Sequence, residues 1–235
     1  MKKTIILLSL CALFIGCTRE YGGVPATKNY PVNGSLTGLD VSNALHVTVS
    51  DEVTDVVVTV GEMAHERVIV KVINGELQIG FKPNTRYNGV ATAVIPATAN
   101  LRELNLSGAS SFSGNLSGHE VDIDLSGAST FRGSVDVDEI DIDLSGASNV
   151  FVDGYCQEKM EIDLSGASTL KAAALEAQTV SGHLSGASFA DVTVCSGLNV
   201  DLSGASTLTY GTVSSECHPV VNCPCSGGSM VRPRR

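Results

Sequence analysis

From residue 104 onward, apolar and polar positions alternate in short runs that recur at a nearly constant distance. Ile140-Asp-Ile-Asp-Leu144 is one such run, and Val121, Ile123 and Leu125 hold the equivalent places one unit earlier. Period two is the mark of a strand with one buried face. Each run ends in the pentapeptide Leu-Ser-Gly-Ala-Ser, which begins at Leu106, Leu125, Leu144, Leu164, Leu184 and Leu202, in steps of 19, 19, 20, 20 and 18 residues. Six residues after each motif leucine stands a second apolar position, Phe112, Phe131, Val150, Leu170, Ala190 and Leu208, again in alternating stretches such as Phe131-Arg-Gly-Ser-Val-Asp-Val137. Each unit therefore holds two strands. No amphipathic helix is visible, and the alanine-rich run 172–177 is too short to change the class.

A fixed period of this size is the signature of stacked coils. A leucine-rich repeat would carry an Asn or Cys position that is missing here, and a left-handed hexapeptide helix would want uniform 18-residue coils. The small residues Ser-Gly-Ala-Ser read as a corner, because glycine admits turn angles that other residues resist and serine hydroxyls bond to nearby backbone. Parallel crossover connections are right-handed in about 98% of cases. The prediction is an all-β, right-handed parallel β-helix with coils of about 19–20 residues over 104–230. Its last coil is degenerate: Asn222-Cys223-Pro-Cys225-Ser-Gly-Gly-Ser229 overlays Asp141-Ile142-Asp-Leu144-Ser-Gly-Ala-Ser148. Pro224 suits an edge strand, and the basic tail 231–235 adds charge at the same end.

Residues 35–103 lack the motif but alternate in Leu45-His-Val-Thr-Val49, Val56-Val-Val-Thr-Val60, Val68-Ile-Val-Lys-Val72 and Ala91-Thr-Ala-Val-Ile95. Asn74-Gly75 between two runs signals a hairpin. This part reads as an N-terminal β-rich head that caps the first coil. Residues 1–16 have the layout of a signal peptide, with Lys2 and Lys3 before an apolar run too short to span a membrane. Phe14-Ile-Gly-Cys17 resembles a bacterial lipobox, which makes Cys17 the expected lipid-attachment site and residues 17–34, rich in Gly, Pro and polar side chains, the expected tether.

Composition narrows the function. With 43% hydrophobic and 17% charged residues in 235, the chain is a folding one, and a formal net charge of −10 argues against nucleic acid as a partner. The acidic residues beside each motif, Asp122, Asp124, Asp141, Asp143, Glu161 and Asp163, fall on the solvent face and stack coil upon coil. Calcium favours clustered carboxylates, so this row is the one candidate metal site; a flat row supplies diverging ligands, and a solvated acidic face is the plainer reading. No cofactor other than such a cation is suggested. Arg132 and Lys171 read as isolated. Among Cys156, Cys195, Cys217, Cys223 and Cys225, an oxidising compartment permits a bridge, with Cys217 to Cys223 close in sequence and Cys156 and Cys195 separated by two coils. The five histidines are scattered, and no Ser–His pairing stands out from the structural serines.

The whole layout resembles the putative autotransporter adhesin "head GIN domain" proteins, exported bacterial lipoproteins. The likeness covers about residues 35–230 and rests on Gly38-Leu-Asp-Val-Ser-Asn-Ala-Leu-His-Val-Thr-Val49, the Asn74-Gly75 hairpin and the Ser-Gly-Ala-Ser corners. It implies a β-helical domain and an adhesin role, and it brings no catalytic motif. The expectation is a non-enzymatic cell-envelope lipoprotein held to the membrane by its lipid and binding an unidentified surface ligand, glycan or protein. The alternatives are a polysaccharide-acting β-helix enzyme and a structural or sensory protein facing the periplasm.

Overall fold

The computed structural model describes residues 20–234; the expected signal peptide and Cys17 lie outside them. The chain is nearly all-β, a stack of about 7 coils. Seventeen strands join in one sheet, and Glu20–Tyr21 pairs with Arg86–Tyr87 in a second, two-stranded one. The alternation predicts the register. Leu104, Ile123, Ile142 and Ile162 are successive parallel partners, as are Leu106, Leu125, Leu144, Leu164, Leu184 and Leu202. All of these side chains are buried, so each coil lays its apolar face on the next along the whole stack. After the corner runs a second ladder of Phe112, Phe131, Val150, Leu170, Ala190 and Leu208.

The two serines of the motif do different work. The second, at Ser110, Ser129, Ser148, Ser168, Ser188 and Ser206, is buried and donates its hydroxyl to the carbonyl of the first, three residues back, at 2.7–2.9 Å. Each such bond closes its own corner and contributes about 1 kcal/mol net. The corner also bonds to the one before it. Ala147, Ala167, Ala187 and Ala205 donate their backbone N–H to the carbonyls of Gly127, Gly146, Gly166 and Gly186 at 2.7–2.8 Å. Among the described residues every buried side-chain polar atom has a partner. The alanine-rich run 172–177 is extended, within the strand Thr169–Leu184, and a register irregularity between Ala172 and Glu176 absorbs its extra length.

Residues 35–103 do more than cap. Gly38–Val41 and Leu45–Ser50 form a coil that pairs in parallel with Glu103–Leu106 and Ser111–Ser113 on one side. On the other side they pair in parallel with Glu76–Phe81 and Ala91–Pro96. The outermost coil therefore comes later in sequence than the one beneath it. The antiparallel strands Val68–Ile73 and Val56–Gly61 then cover its edge, the first through the Asn74-Gly75 hairpin, where both residues have positive φ (53° and 88°). Part of the expected tether belongs to this cap. Pro25–Tyr30 pairs antiparallel with Val56–Gly61, and the Thr27 and Thr59 hydroxyls bond at 2.8 Å. An outer strand held by backbone bonds and open to water on its side chains carries no apolar alternation, so the sequence pattern does not reveal it.

The disulfide differs from the one suggested by sequence proximity. Cys195 bridges Cys217, with Cα atoms 4.6 Å apart, and Cys156, Cys223 and Cys225 are free. After Gly211 the chain leaves the coil, and the loop it makes brings Cys217 beside the preceding coil. Cys223 meanwhile follows Val220–Asn222, which pairs with Gly197, Leu198 and Asn199, and so is drawn onto the stack away from Cys217. A bridge closing a loop of this size contributes about 2–4 kcal/mol.

Candidate functional site

The outward residues of the strands before the corners form two columns. One runs Asp40, Asn105, Asp124, Asp143, Asp163, His183, Asp201, each the register partner of the next. The other runs Glu103, Asp122, Asp141, Glu161, Ser181, Asn199. Between the first column and the first motif serines, Ser107, Ser126, Ser145, Ser165 and Ser185, lies a groove of about 550 Å³ that follows the corner edge of the stack. Carboxylates form one wall and hydroxyls the other.

Stacking at the inter-strand spacing of about 4.8 Å puts like charges side by side. Asp143 bears most of the strain: partial loss of hydration, then the charges of Asp141, Asp124 and Asp163 and a hydrogen bond with Asp124, raise its pKa to about 6. Asp141 is raised by burial and then by Glu161, and Asp40 by burial and then by Glu76. His183 takes an aspartate's place in the first column, 3.0 Å from Asp163 and 3.8 Å from Asp201, and Lys159, beside the second column, pairs with Glu161.

An aspartate whose folded pKa lies above its unfolded value holds more protons folded than unfolded between those two values, so stability falls as pH rises from about 4 to 6. Asp143 remains exposed by area, so water and salt screen the effect to the order of 1 kcal/mol. Asp143→Asn is expected to raise the melting temperature by a few degrees at pH 7.5 and to leave it unchanged at pH 4. Thermal melts at both pH values check this, and a variant that melts lower at pH 7.5 contradicts it.

The six carboxylates named as candidate calcium ligands stand in two outward columns, and Asp122, Asp124, Asp141 and Asp143 line, with Glu103, a small pocket of about 140 Å³. Among the described residues no three His, Cys, Asp or Glu side chains are grouped so as to hold a metal ion. The pair with the shared hydrogen bond, Asp124 and Asp143, is also too close for glycosidic acid–base work, since carboxylates that flank a scissile bond stand about 5–9.5 Å apart. Burial pushes the Cys156 thiol up to about 11, which keeps it protonated and inert.

A second surface was not legible as a unit. Arg132, Phe151 and Lys171 are consecutive register partners after the corner. The Arg132 guanidinium lies 3.7 Å from the Phe151 ring centre, and Lys171 Nζ lies 5.4 Å from it. Beside them is a shallow groove of about 590 Å³ whose lining also holds Gly133, Ala173, Ala174, Asp153 and Asp191. The chain end clamps Asp191: Arg234 donates to its carboxylate at 2.5 and 3.0 Å, to Val192 O at 2.8 Å and to Thr193 Oγ1 at 2.9 Å. The signal was available in the repeat, since all three residues stand seven places after a motif leucine.

These features define a class: a parallel β-solenoid that presents long polar faces. Residues 35–212 match the family "Putative auto-transporter adhesin, head GIN domain", and the chain belongs to it. Solved structures share the fold. A putative adhesin from Bacteroides fragilis is 15% identical with a TM-score of 0.79, covering 92% of this chain and 100% of that one. A "putative lipid binding protein" from Parabacteroides distasonis is 16% identical with a TM-score of 0.70, covering 92% and 99%. A putative adhesin from the same organism is 17% identical with a TM-score of 0.61, covering 91% and 98%. No curated protein matches. No helix among the described residues is long and apolar enough to cross a membrane.

Proposed function

We propose that the protein is a non-catalytic binding protein of the bacterial cell envelope, exported, acylated on Cys17 and displayed as an adhesin. The observation that carries this reading is the unbroken lateral surface. The same outward positions recur through the stack, giving a ligand one repeated set of contacts rather than one reactive centre. Membership of the adhesin family supports it. A lipid on Cys17 would hold the chain at the membrane without a spanning segment, since each buried methylene contributes about 0.8 kcal/mol.

The test adds protease to intact cells and compares the wild type with Cys17→Ala. Digestion of the wild type, with a periplasmic control protected and the variant lost from the membrane fraction, supports the reading. Protection of the wild type points instead to a structural or sensory role in the periplasm. Release of reducing or unsaturated sugar from a glycan panel by the purified protein would make it an enzyme.

A further inference from the structure

We propose that the groove beside Phe151 binds an acidic oligosaccharide, with Arg132 and Lys171 taking two of its anionic groups. This inference rests on the binding role proposed above and assigns it a face and a ligand class.

Arg132 and Lys171 belong to alternate coils, so their backbones stand about 10 Å apart by the inter-strand spacing. Phe151 lies between them, and the attraction of its ring for both cations holds the two side chains in place before any ligand arrives. Among the described residues neither cation is in an ion pair, although the chain carries ten more acidic than basic side chains. Asp191, the register partner of Lys171 in the next coil, is itself bound by Arg234. With Arg132, Lys171 and Arg234 against Asp153 and Asp191, three cations face two acids and the locality is net positive.

The shape selects among anions. Gly133, Ala173 and Ala174 bring no large side chain to the groove, which leaves room for a sugar ring, and Asn115 and Ser134 offer polar groups. A peptide cannot add here as a strand, because the coils beneath already pair with neighbours on both sides. An anionic membrane needs a broad basic surface, whereas here Asp153 and Asp191 stand in the same groove as the two cations. Nucleic acid, with its dense negative charge, is repelled by a chain of formal net charge −10. A linear glycan in which charged and neutral sugars alternate presents a few well-separated anions on flat rings, which is what two spaced cations beside small groove residues can receive.

The experiment is calorimetric titration of the purified full exported chain with three oligosaccharides of matched length: an oligogalacturonate, a heparin fragment and a neutral cello-oligosaccharide. Binding of either anionic glycan that weakens with added salt, with none for the neutral one, is expected; which anionic glycan binds separates carboxylate from sulfate recognition. The double variant Arg132→Gln/Lys171→Gln should bind at least about tenfold more weakly, the loss of two charge-assisted contacts. Lys171→Arg should retain binding, and Asp143→Asn, on the other groove, should leave it unchanged. Equal affinity in the double variant, equal binding of the neutral glycan, or no binding of either anionic glycan overturns the assignment. If glycan binding fails while intact cells still expose the protein to protease, only the ligand assignment falls.

Discussion

Gly166→Ala is expected to destabilise the protein by about 4 kcal/mol, enough to disrupt the middle of the stack. Gly166 has φ of +72°, where an alanine side chain costs about 1–2 kcal/mol. The larger part comes from the neighbouring coil. A Cβ on Gly166 would lie 2.4 Å from the carbonyl oxygen of Gly146 and 3.1 Å from its backbone nitrogen. That carbonyl cannot swing aside cheaply, because it accepts the N–H of Ala167 at 2.7 Å. In a solenoid each coil is stabilised mainly by its two neighbours, so a strained interface at mid-stack weakens both halves. Gly108→Ala provides the internal comparison. Its φ is also positive, at +62°, but the nearest atom to an added Cβ is the Asn43 backbone nitrogen at 3.3 Å, because the corner beneath it lacks the stacked glycine. A cost of about 1–2 kcal/mol is expected there. Urea unfolding of the two variants beside the wild type checks the contrast, and equal losses would show that backbone strain alone, and not coil stacking, sets the requirement for glycine.

Phe131→Ala is expected to cost about 3–5 kcal/mol. The ring is fully buried and lies against Phe112 in the previous coil, with centroids 5.9 Å apart and planes 11° from parallel. Two glycines make room for this pair. A Cβ on Gly114 would meet the Phe112 ring at 2.7 Å, and one on Gly133 would meet the Phe131 ring at 3.2 Å and the Gly114 carbonyl oxygen at 1.8 Å. Removing the ring leaves a void between coils whose spacing is set by backbone hydrogen bonds and cannot close. Phe131→Leu should lose far less, because the same column accepts Leu170 and Leu208 two and four coils further on. Thermal and urea unfolding of both variants measure this. A Phe131→Ala variant within about 1 kcal/mol of the wild type would mean that the interior relaxes around the missing ring.

Gly166 and Phe131 sit at positions that the repeat alone marks, and the reason is common to both. In a stack of equivalent coils a residue's neighbour in space is the residue one period away, so aligning the motifs reads out the contacts. Leu125 over Leu106 and Ile142 over Ile123 follow from that alignment, as does the outward acidic row. The same logic would have placed Arg132, Phe151 and Lys171 in one column, although the sequence as read one residue at a time leaves the two cations apart.

The alignment has no purchase where the period stops. The strand Pro25–Tyr30 carries polar side chains on an outer edge, so nothing in its pattern separates it from a tether. Gly38–Val41 lies between a coil that follows it at once in the stack and one that the chain builds only at Glu76–Phe81. Cys217 finds Cys195 because a loop outside the repeat crosses the preceding coil. Asp143 and its raised pKa depend on how closely Asp124, Asp141 and Asp163 approach in space.

By itself the sequence determined the stacked all-β architecture, the coil register, the small-residue corners and the acidic face, because a short repeat with one buried face admits few other ways to hide its apolar positions. Only the tertiary structure decided the order of the first coils, the capping strands and the disulfide partner. Those features depend on where non-repeating segments land against the stack, and that is set by edge pairing and by the path of loops outside the coils, which no local period encodes.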